Sequence, residues 1–252
     1  MSFVDPTQNM FLSIIIPVHN EEYRLPPALE KIQAFLAGQP YQAEIVVVEN
    51  GSHDRTYEVA QSYLGSIPNL RVLRETRRGK GLAVRSGMLA ARGQFRFICD
   101  VDLSMPIEEI KHFLPPEHSD PQVVIGSREA PGAVRYNEPA YRHFIGRVFN
   151  TMVRWMALPG LQDTQCGFKL FRGDVAERVF PLQTLTGMSF DVEVLFIARR
   201  MGYCISEVPV NWYFNADSRV RVVQDSMRMG SDLLQIRRNA REGLYDAPLR
   251  SG

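Results

Sequence analysis

Residues 12–54 read LSIIIPVHNEEYRLPPALEKIQAFLAGQPYQAEIVVVENGSHD, and this stretch decides the fold. Leu12–Ile16 is a short apolar run rich in β-branched residues, the pattern of a strand buried on both faces, and Pro17 is expected to stop it. Pro26–Ala37 then carries Leu29, Ile32, Phe35 and Leu36 on one helical face. Glu44–Val48 is a second apolar run. Strand, helix and strand at this spacing form a βαβ unit, whose strands are parallel because a helix must carry the chain back between them.

The alternation continues outward. Asp54 is placed to cap a helix running to about Leu64. Leu70–Arg74 reads as a third strand, Lys80–Arg92 as a helix, Gln94–Cys99 as a fourth strand and Gln122–Ile125 as a fifth. This order predicts an α/β fold: a doubly wound, mostly parallel sheet flanked by helices. The second half is less regular. It holds a helix at Tyr141–Leu158 ended by Pro159-Gly160, a short strand at Cys166–Phe171 and a helix at Asp191–Met201. An extended segment at Ile205–Val210 and a basic amphipathic helix at Ser226–Arg241 follow. With no repeat and no linker, a single domain over 12–243 is expected, between tails at 1–11 and 244–252.

Composition narrows the class. The chain has 252 residues, 45% hydrophobic and 23% charged, which excludes disorder, collagen and coiled coil. Cys99, Cys166 and Cys204 lie far apart and form no CxxC pair, which points to a reducing, cytoplasmic compartment rather than a disulfide framework. The N-terminus has no basic, apolar leader pattern, and no apolar run nears the ~20 residues of a spanning helix. A soluble or peripheral protein is expected. Arginine supplies 25 of the 29 basic residues, and the charge is uneven: −3 over 1–127 and +4 over 128–252. The arginines are not interleaved with aromatics along a strand, so nucleic acid is not an expected partner.

Ligands of doubly wound sheets sit at the carboxyl ends of the strands. Those ends are unusually polar: Pro17-Val-His-Asn-Glu-Glu22, Glu49-Asn-Gly-Ser-His-Asp54, Arg77-Arg-Gly-Lys-Gly81, Asp100-Val101-Asp102 and Gly126-Ser-Arg128. Each alone is ordinary turn chemistry; five at one edge point to a site. Two carboxylates at a strand end suit a hard divalent cation that also holds a diphosphate. The Arg77–Gly81 segment offers cations and backbone N–H groups to a phosphate at a helix start, without Walker-loop spacing. Asp163-Thr-Gln-Cys-Gly-Phe-Lys169 groups a carboxylate, an amide and a lysine. Cys166 has no histidine near it in sequence to activate a thiolate. The helix at 141–158 reads equally as a core helix or as one lying on an anionic membrane.

The ordered series IIIPVHNEE, VVVENGSHDRT, RRGKGLAVRSGMLAARG, CDVDLSMPIEEI, VVIGSRE, YRHFIGRVFN, DTQCGFKLFR, FDVEVLFIARRMGY and EVPVNW resembles the family 2 glycosyltransferases of the GT-A fold. Within them it is most similar to the dolichyl-phosphate and polyprenyl-phosphate glucosyltransferases, over about residues 12–240. The resemblance implies inverting transfer of a hexose, with glucose from UDP-glucose favoured over mannose from GDP-mannose, to a polyprenyl phosphate or another acceptor. It implies that Pro17, His19, Asn20 and Glu21 line the nucleotide pocket, with Glu49 and Gly51 at base and ribose. Lys80 would approach the uracil or diphosphate. Asp100, Val101 and Asp102 would hold the diphosphate, the two carboxylates also binding Mg²⁺ or Mn²⁺. Arg128, with Arg142 or Arg147, would receive the acceptor phosphate. Gln165 and Lys169 would shape the sugar side, and Asp191 or Glu193 would be candidate bases if the acceptor were a hydroxyl. The family's usual Asp-Asp-Gly-Ser is here Glu49-Asn50-Gly51-Ser52, and a frequent third metal ligand is replaced by Ser104. A soluble acceptor and a non-catalytic nucleotide-binding module are the alternatives.

Overall fold

The computed structural model describes residues 10–215 and 222–246. Its centre is a seven-stranded sheet built from β1 (Leu12–Val18), β2 (Ala43–Glu49), β3 (Leu70–Arg74), β4 (Phe95–Ile98), β5 (Val123–Ser127), β7 (Lys169–Arg172) and β8 (Ile205–Pro209). The order across the sheet is β3-β2-β1-β4-β7-β5-β8. All neighbours are parallel except β7, which runs antiparallel to β4 and β5. The helices are α1 (Leu25–Ala37), α2 (Thr56–Ser62), α3 (Lys80–Ala90), α4 (Ala140–Met156), α5 (Gly173–Val179), α6 (Phe190–Arg200) and α7 (Val222–Arg241). The expected mostly parallel sheet flanked by helices is the observed one.

Alternation along β1 shows why it is apolar throughout. Ile15 packs into one core layer with α3, α5 and α6, while Ile14 and Ile16 pack into the other with α1. A strand covered on both faces has no solvated side to make polar.

Pro17 does not stop β1, as expected from sequence, but lies within it, opposite Val48 of β2. The carbonyls of Ile15 and Val18 face β4 and β2 respectively, so position 17 faces the β4 side. β4 has already ended there, at Ile98 opposite Ile15. The missing N–H of proline therefore removes no ladder bond.

Helix α3 ends two residues early. Arg92 N–H is taken by the Glu44 carboxylate at 2.7 Å and Gly93 N–H by the Ser13 hydroxyl at 2.8 Å, which turns the chain directly into β4. The strand expected at Cys166–Phe171 begins at Lys169. Helix α5, two 3₁₀ segments (Ile107–Phe113 and Phe180–Leu182) and a small parallel pair of β6 (Val134–Tyr136) with β9 (Asn211–Tyr213) had no sequence expectation. All are too short for a period to show. Tyr245, placed in a terminal tail by the sequence reading, is buried, its hydroxyl donating to Glu193 at 2.7 Å.

Candidate active site

The loops after β1 and β2 are stitched to each other. Asn20 N–H donates to the Ser52 hydroxyl at 3.0 Å, His53 N–H donates to Asn20 Oδ1 at 2.7 Å, and Glu21 N–H donates to Thr56 Oγ1 at 2.7 Å. Asn20 holds a φ of 55°, a conformation that asparagine tolerates better than bulkier residues. His19 Nδ1 lies 2.8 Å from the Asn50 carbonyl, which can only accept, so the proton is on Nδ1. The pair of loops is a preformed wall at the strand edge.

Glu49 ends β2 fully buried. Its carboxylate accepts the Ser52 N–H and faces Arg74 Nε at 3.2 Å. It thus braces its own turn, which Gly51 closes at φ 63°. The next side chain, Asn50, reaches the loop after β3. Its Oδ1 accepts Gly79 N–H at 2.7 Å, and its Nδ2 donates to the carbonyls of Arg77 at 2.6 Å and Glu75 at 3.2 Å.

That loop delivers Lys80, whose Nζ lies 2.6 Å from Asp100 Oδ1. A Cβ at Gly167 would come within 2.2 Å of Asp100 Oδ2, so only glycine leaves the carboxylate its place. Burial works against both charges. The Asp100 carboxylate nevertheless raises the Lys80 ammonium above its ordinary range, and Lys80, then Lys169 and Arg128, hold Asp100 below its own. Asp102 accepts Ser104 N–H at 3.0 Å across a turn in which Leu103 takes a φ of 44°. Ser104 passes the constraint on, its carbonyl accepting Tyr213 N–H of β9 at 2.7 Å. Val101 is buried among the apolar side chains beneath, so only its backbone faces the turn's polar side.

Asp100 and Asp102 give two hard oxygen donors on one turn, the donor chemistry of Mg²⁺ or Mn²⁺. Among the described residues no cluster of three or more histidine, cysteine or acidic side chains is placed to hold a metal ion. The two carboxylates therefore fit a cation whose remaining positions are filled by ligand oxygens and water.

Behind this turn, Lys169 is fully buried with its Nζ 2.7 Å from Asp191 Oδ1, and it also donates to the Cys166 carbonyl. Burial pushes the Asp191 carboxyl up despite the opposing charges of Lys169 and Lys80. Lys169 and Asp191 are thus engaged with each other. Burial also pushes the Cys166 thiol up to about 12, which leaves no thiolate near neutral pH. Glu193, two residues beyond Asp191, accepts the N–H groups of Thr184 and Leu185 and the hydroxyls of Thr184 and Tyr245. It anchors the 184–186 segment, whose Thr186 carbonyl accepts Gly81 N–H at 2.9 Å.

Arg128 follows β5. Its Nε and Nη2 grip the two oxygens of Asp163 at 2.7 and 3.0 Å, and its N–H reaches the same carboxylate at 3.0 Å. Its guanidinium also lies 5.4 Å from the Trp212 ring centre, as Arg135 does at 5.9 Å. Arg135 is neutralised in turn by Glu129 and Glu138. Gln165 donates its backbone N–H to Asp163 and points its amide towards Met229 of α7 at 3.8 Å. Arg147 is exposed on α4; the side chain of Arg142 lies outside the described residues. The structure therefore brings Lys80, Asp100, Asp102, Lys169 and Asp191 into one polar core, with Arg128 on its flank and Arg147 on the surface.

Sequence reading did not find the Asn50 contacts, the Gly167 hollow or the Arg128–Asp163 fork. The glycines were visible, but contact across 25 to 67 positions leaves no local period. Only the paired departures at 49 and 50 marked the place.

A profile of Glycosyl transferase family 2 matches residues 13–180. A dolichyl-phosphate beta-glucosyltransferase of Dictyostelium discoideum is 34% identical over 251 residues, covering 92% of this chain and 76% of that protein. One from Drosophila melanogaster is 35% identical with the same coverage, and one from Homo sapiens is 31% identical over 90% of this chain and 74% of its own. Among solved structures, a glucosyl-3-phosphoglycerate synthase of Mycobacterium tuberculosis, in complex with Mn²⁺, UDP-glucose and phosphoglyceric acid, superposes with a TM-score of 0.62 at 18% identity. The match covers 90% of this chain and 79% of that one. The mannosyl-3-phosphoglycerate synthase of Rubrobacter xylanophilus gives 0.63 at 17%, over 96% and 78%.

Proposed function

The chain belongs to glycosyl transferase family 2, and from that premise we propose that it moves glucose from UDP-glucose to the phosphate of dolichol or another polyprenol. It is a glycosyltransferase of the GT-A fold. The observation that carries the reading is the Asp100–Asp102 turn with Lys80 locked at 2.6 Å to its first carboxylate, at the edge where such sheets bind ligands. Support for the acceptor is the name shared by relatives 30–35% identical over nine-tenths of the chain.

In this reading the donor lies across the strand ends. The loops of Pro17, His19, Asn20 and Glu21 and of Glu49 and Gly51 take the nucleoside, and Lys80 takes the diphosphate. Asp100 and Asp102 would hold a Mg²⁺ or Mn²⁺ ion, which when bound offsets negative charge on the leaving nucleoside diphosphate. An acceptor phosphate is already ionised near neutral pH. One of its oxygens attacks the anomeric carbon opposite the bond to the diphosphate, and that bond breaks with its electrons leaving on the diphosphate. Single displacement inverts the configuration. No group need remove a proton, which agrees with Asp191 being committed to Lys169 and Glu193 to backbone N–H groups. The protein's part is position and charge. Asp163 occupies Nε and Nη2 of Arg128, so Nη1 is the nitrogen this reading gives to the acceptor phosphate. Lys169 and Gln165 support the sugar side.

Among the described residues no helix is long and apolar enough to cross a membrane. Contact with a lipid acceptor is assigned to the surface of α4, where Trp155 is 90% exposed and Arg147 and Arg154 are exposed as well. An indole with nearby guanidinium groups suits an anionic lipid interface. The unpaired cysteines fit the cytoplasmic side of such a membrane. The test is a donor panel at fixed polyprenyl phosphate: UDP-glucose should be turned over faster than UDP-galactose or GDP-mannose. Faster turnover of GDP-mannose would contradict the donor assignment.

A further inference from the structure

The geometry points to Asn50 as the positioning residue that sets the loop before Lys80, and through it the grip on the donor's diphosphate. This deepens the reading above and rests on Lys80 facing that diphosphate. Asn50 is only 4% exposed, and every polar end of its side-chain amide is used on the one loop after β3. Oδ1 accepts Gly79 N–H at 2.7 Å; the two hydrogens of Nδ2 go to the Arg77 carbonyl at 2.6 Å and the Glu75 carbonyl at 3.2 Å. Its own carbonyl accepts His19 Nδ1–H at 2.8 Å. Gly79, held at φ 149°, is pressed from the other side: an added Cβ would lie 2.4 Å from the Thr186 carbonyl oxygen. The loop is thus fixed between Asn50 and the 184–186 segment, and the next residue is Lys80.

No other side chain of this size does the same work. Aspartate is isosteric but accepts only, so it could keep Gly79 and would set a carboxylate against two carbonyl oxygens in a buried place. Asn50→Asp should therefore disturb this loop.

The experiment compares Asn50→Asp, Asn50→Ala and Lys80→Ala in the full chain. Binding of UDP in MnCl₂ is measured by calorimetry, with KM for UDP-glucose and for polyprenyl phosphate and the thermal midpoint alongside. Both Asn50 variants should weaken UDP binding and raise donor KM by about tenfold, with acceptor KM within about twofold. A merely structural role lowers the midpoint and the active fraction and moves neither KM of the enzyme that remains folded. Unchanged UDP binding in Asn50→Asp, with binding weakened in Lys80→Ala, would overturn the role of Asn50 alone. Unchanged binding in Lys80→Ala would overturn the placement of the diphosphate and this inference with it.

Discussion

Arg128 and Asp163 meet as a two-pronged ion pair, Nε to Oδ2 at 2.7 Å and Nη2 to Oδ1 at 3.0 Å, with the carboxylate fully buried and the guanidinium about one-fifth exposed. Burial opposes the Asp163 charge, yet the adjacent Arg128 brings its pKa from 3.8 down to about 2. A depressed carboxylate contributes stability above its unfolded value, and loses it as pH falls through the folded value. Wild-type protein should therefore lose on the order of 2 kcal/mol from this group between about pH 4 and pH 2. Asp163→Asn should lose stability at pH 7, on the order of 3 kcal/mol, and show a shallower acid dependence in urea unfolding. An equal acid dependence in both proteins would remove the pair from the account.

The same fork constrains Arg128→Lys. A lysine offers one point charge where two parallel donors are used. Transfer to polyprenyl phosphate should fall more than tenfold through acceptor KM, with UDP affinity unchanged by calorimetry. Loss of UDP affinity instead would move Arg128 to the donor side.

Asp102 bears one backbone contact, from Ser104, so Asp102→Asn should fold normally and hold its thermal midpoint within a few degrees. Turnover should fall at least about a hundredfold. Chelation with EDTA should silence the wild-type enzyme, and added Mn²⁺ or Mg²⁺ should restore it but not the variant. Activity surviving chelation would exclude the metal role of the turn.

Lys169 and Asp191, buried at 2.7 Å, make a different prediction. Lys169→Met strands a buried carboxylate and should cost about 3–5 kcal/mol in denaturant unfolding. The double variant Lys169→Met/Asp191→Leu should recover much of that stability while remaining slow in transfer. If the double variant is as unstable as the single one, packing and not charge is what the pair supplies.

These tests divide along what was legible in the sequence. The sheet was legible because β1 and β2 carry apolar, β-branched runs and α1 carries a clean helical period. Asp100 and Asp102 were legible because a strand end carries two carboxylates two positions apart on one turn. The partners were not. Asp163 lies 35 positions from Arg128, Asp191 lies 22 from Lys169, and Gly167 makes room for Asp100 from the loop before β7. Such contacts follow from the insertion of antiparallel β7 between β4 and β5, which no local period announces. Pro17 shows the converse: a local rule said the strand should stop, and the early end of its neighbour lifted the rule.

The surface of α4 offers a check on the lipid side. Wild-type protein should sediment with vesicles containing anionic lipid and not with neutral ones. Replacing Arg147 and Arg154 with glutamine should weaken that binding by about 2 kcal/mol, roughly thirtyfold, and Trp155→Ser should weaken it further. Equal binding by the triple variant would place the contact elsewhere.

The central claim is that the phosphate of a polyprenyl lipid accepts the sugar. It is tested most directly by mass detection of the product when the enzyme, UDP-glucose and Mn²⁺ meet polyprenyl phosphate and 3-phosphoglycerate in one reaction. The account predicts glucosyl polyprenyl phosphate as the product. Glucosylated phosphoglycerate, with the lipid untouched, would contradict it.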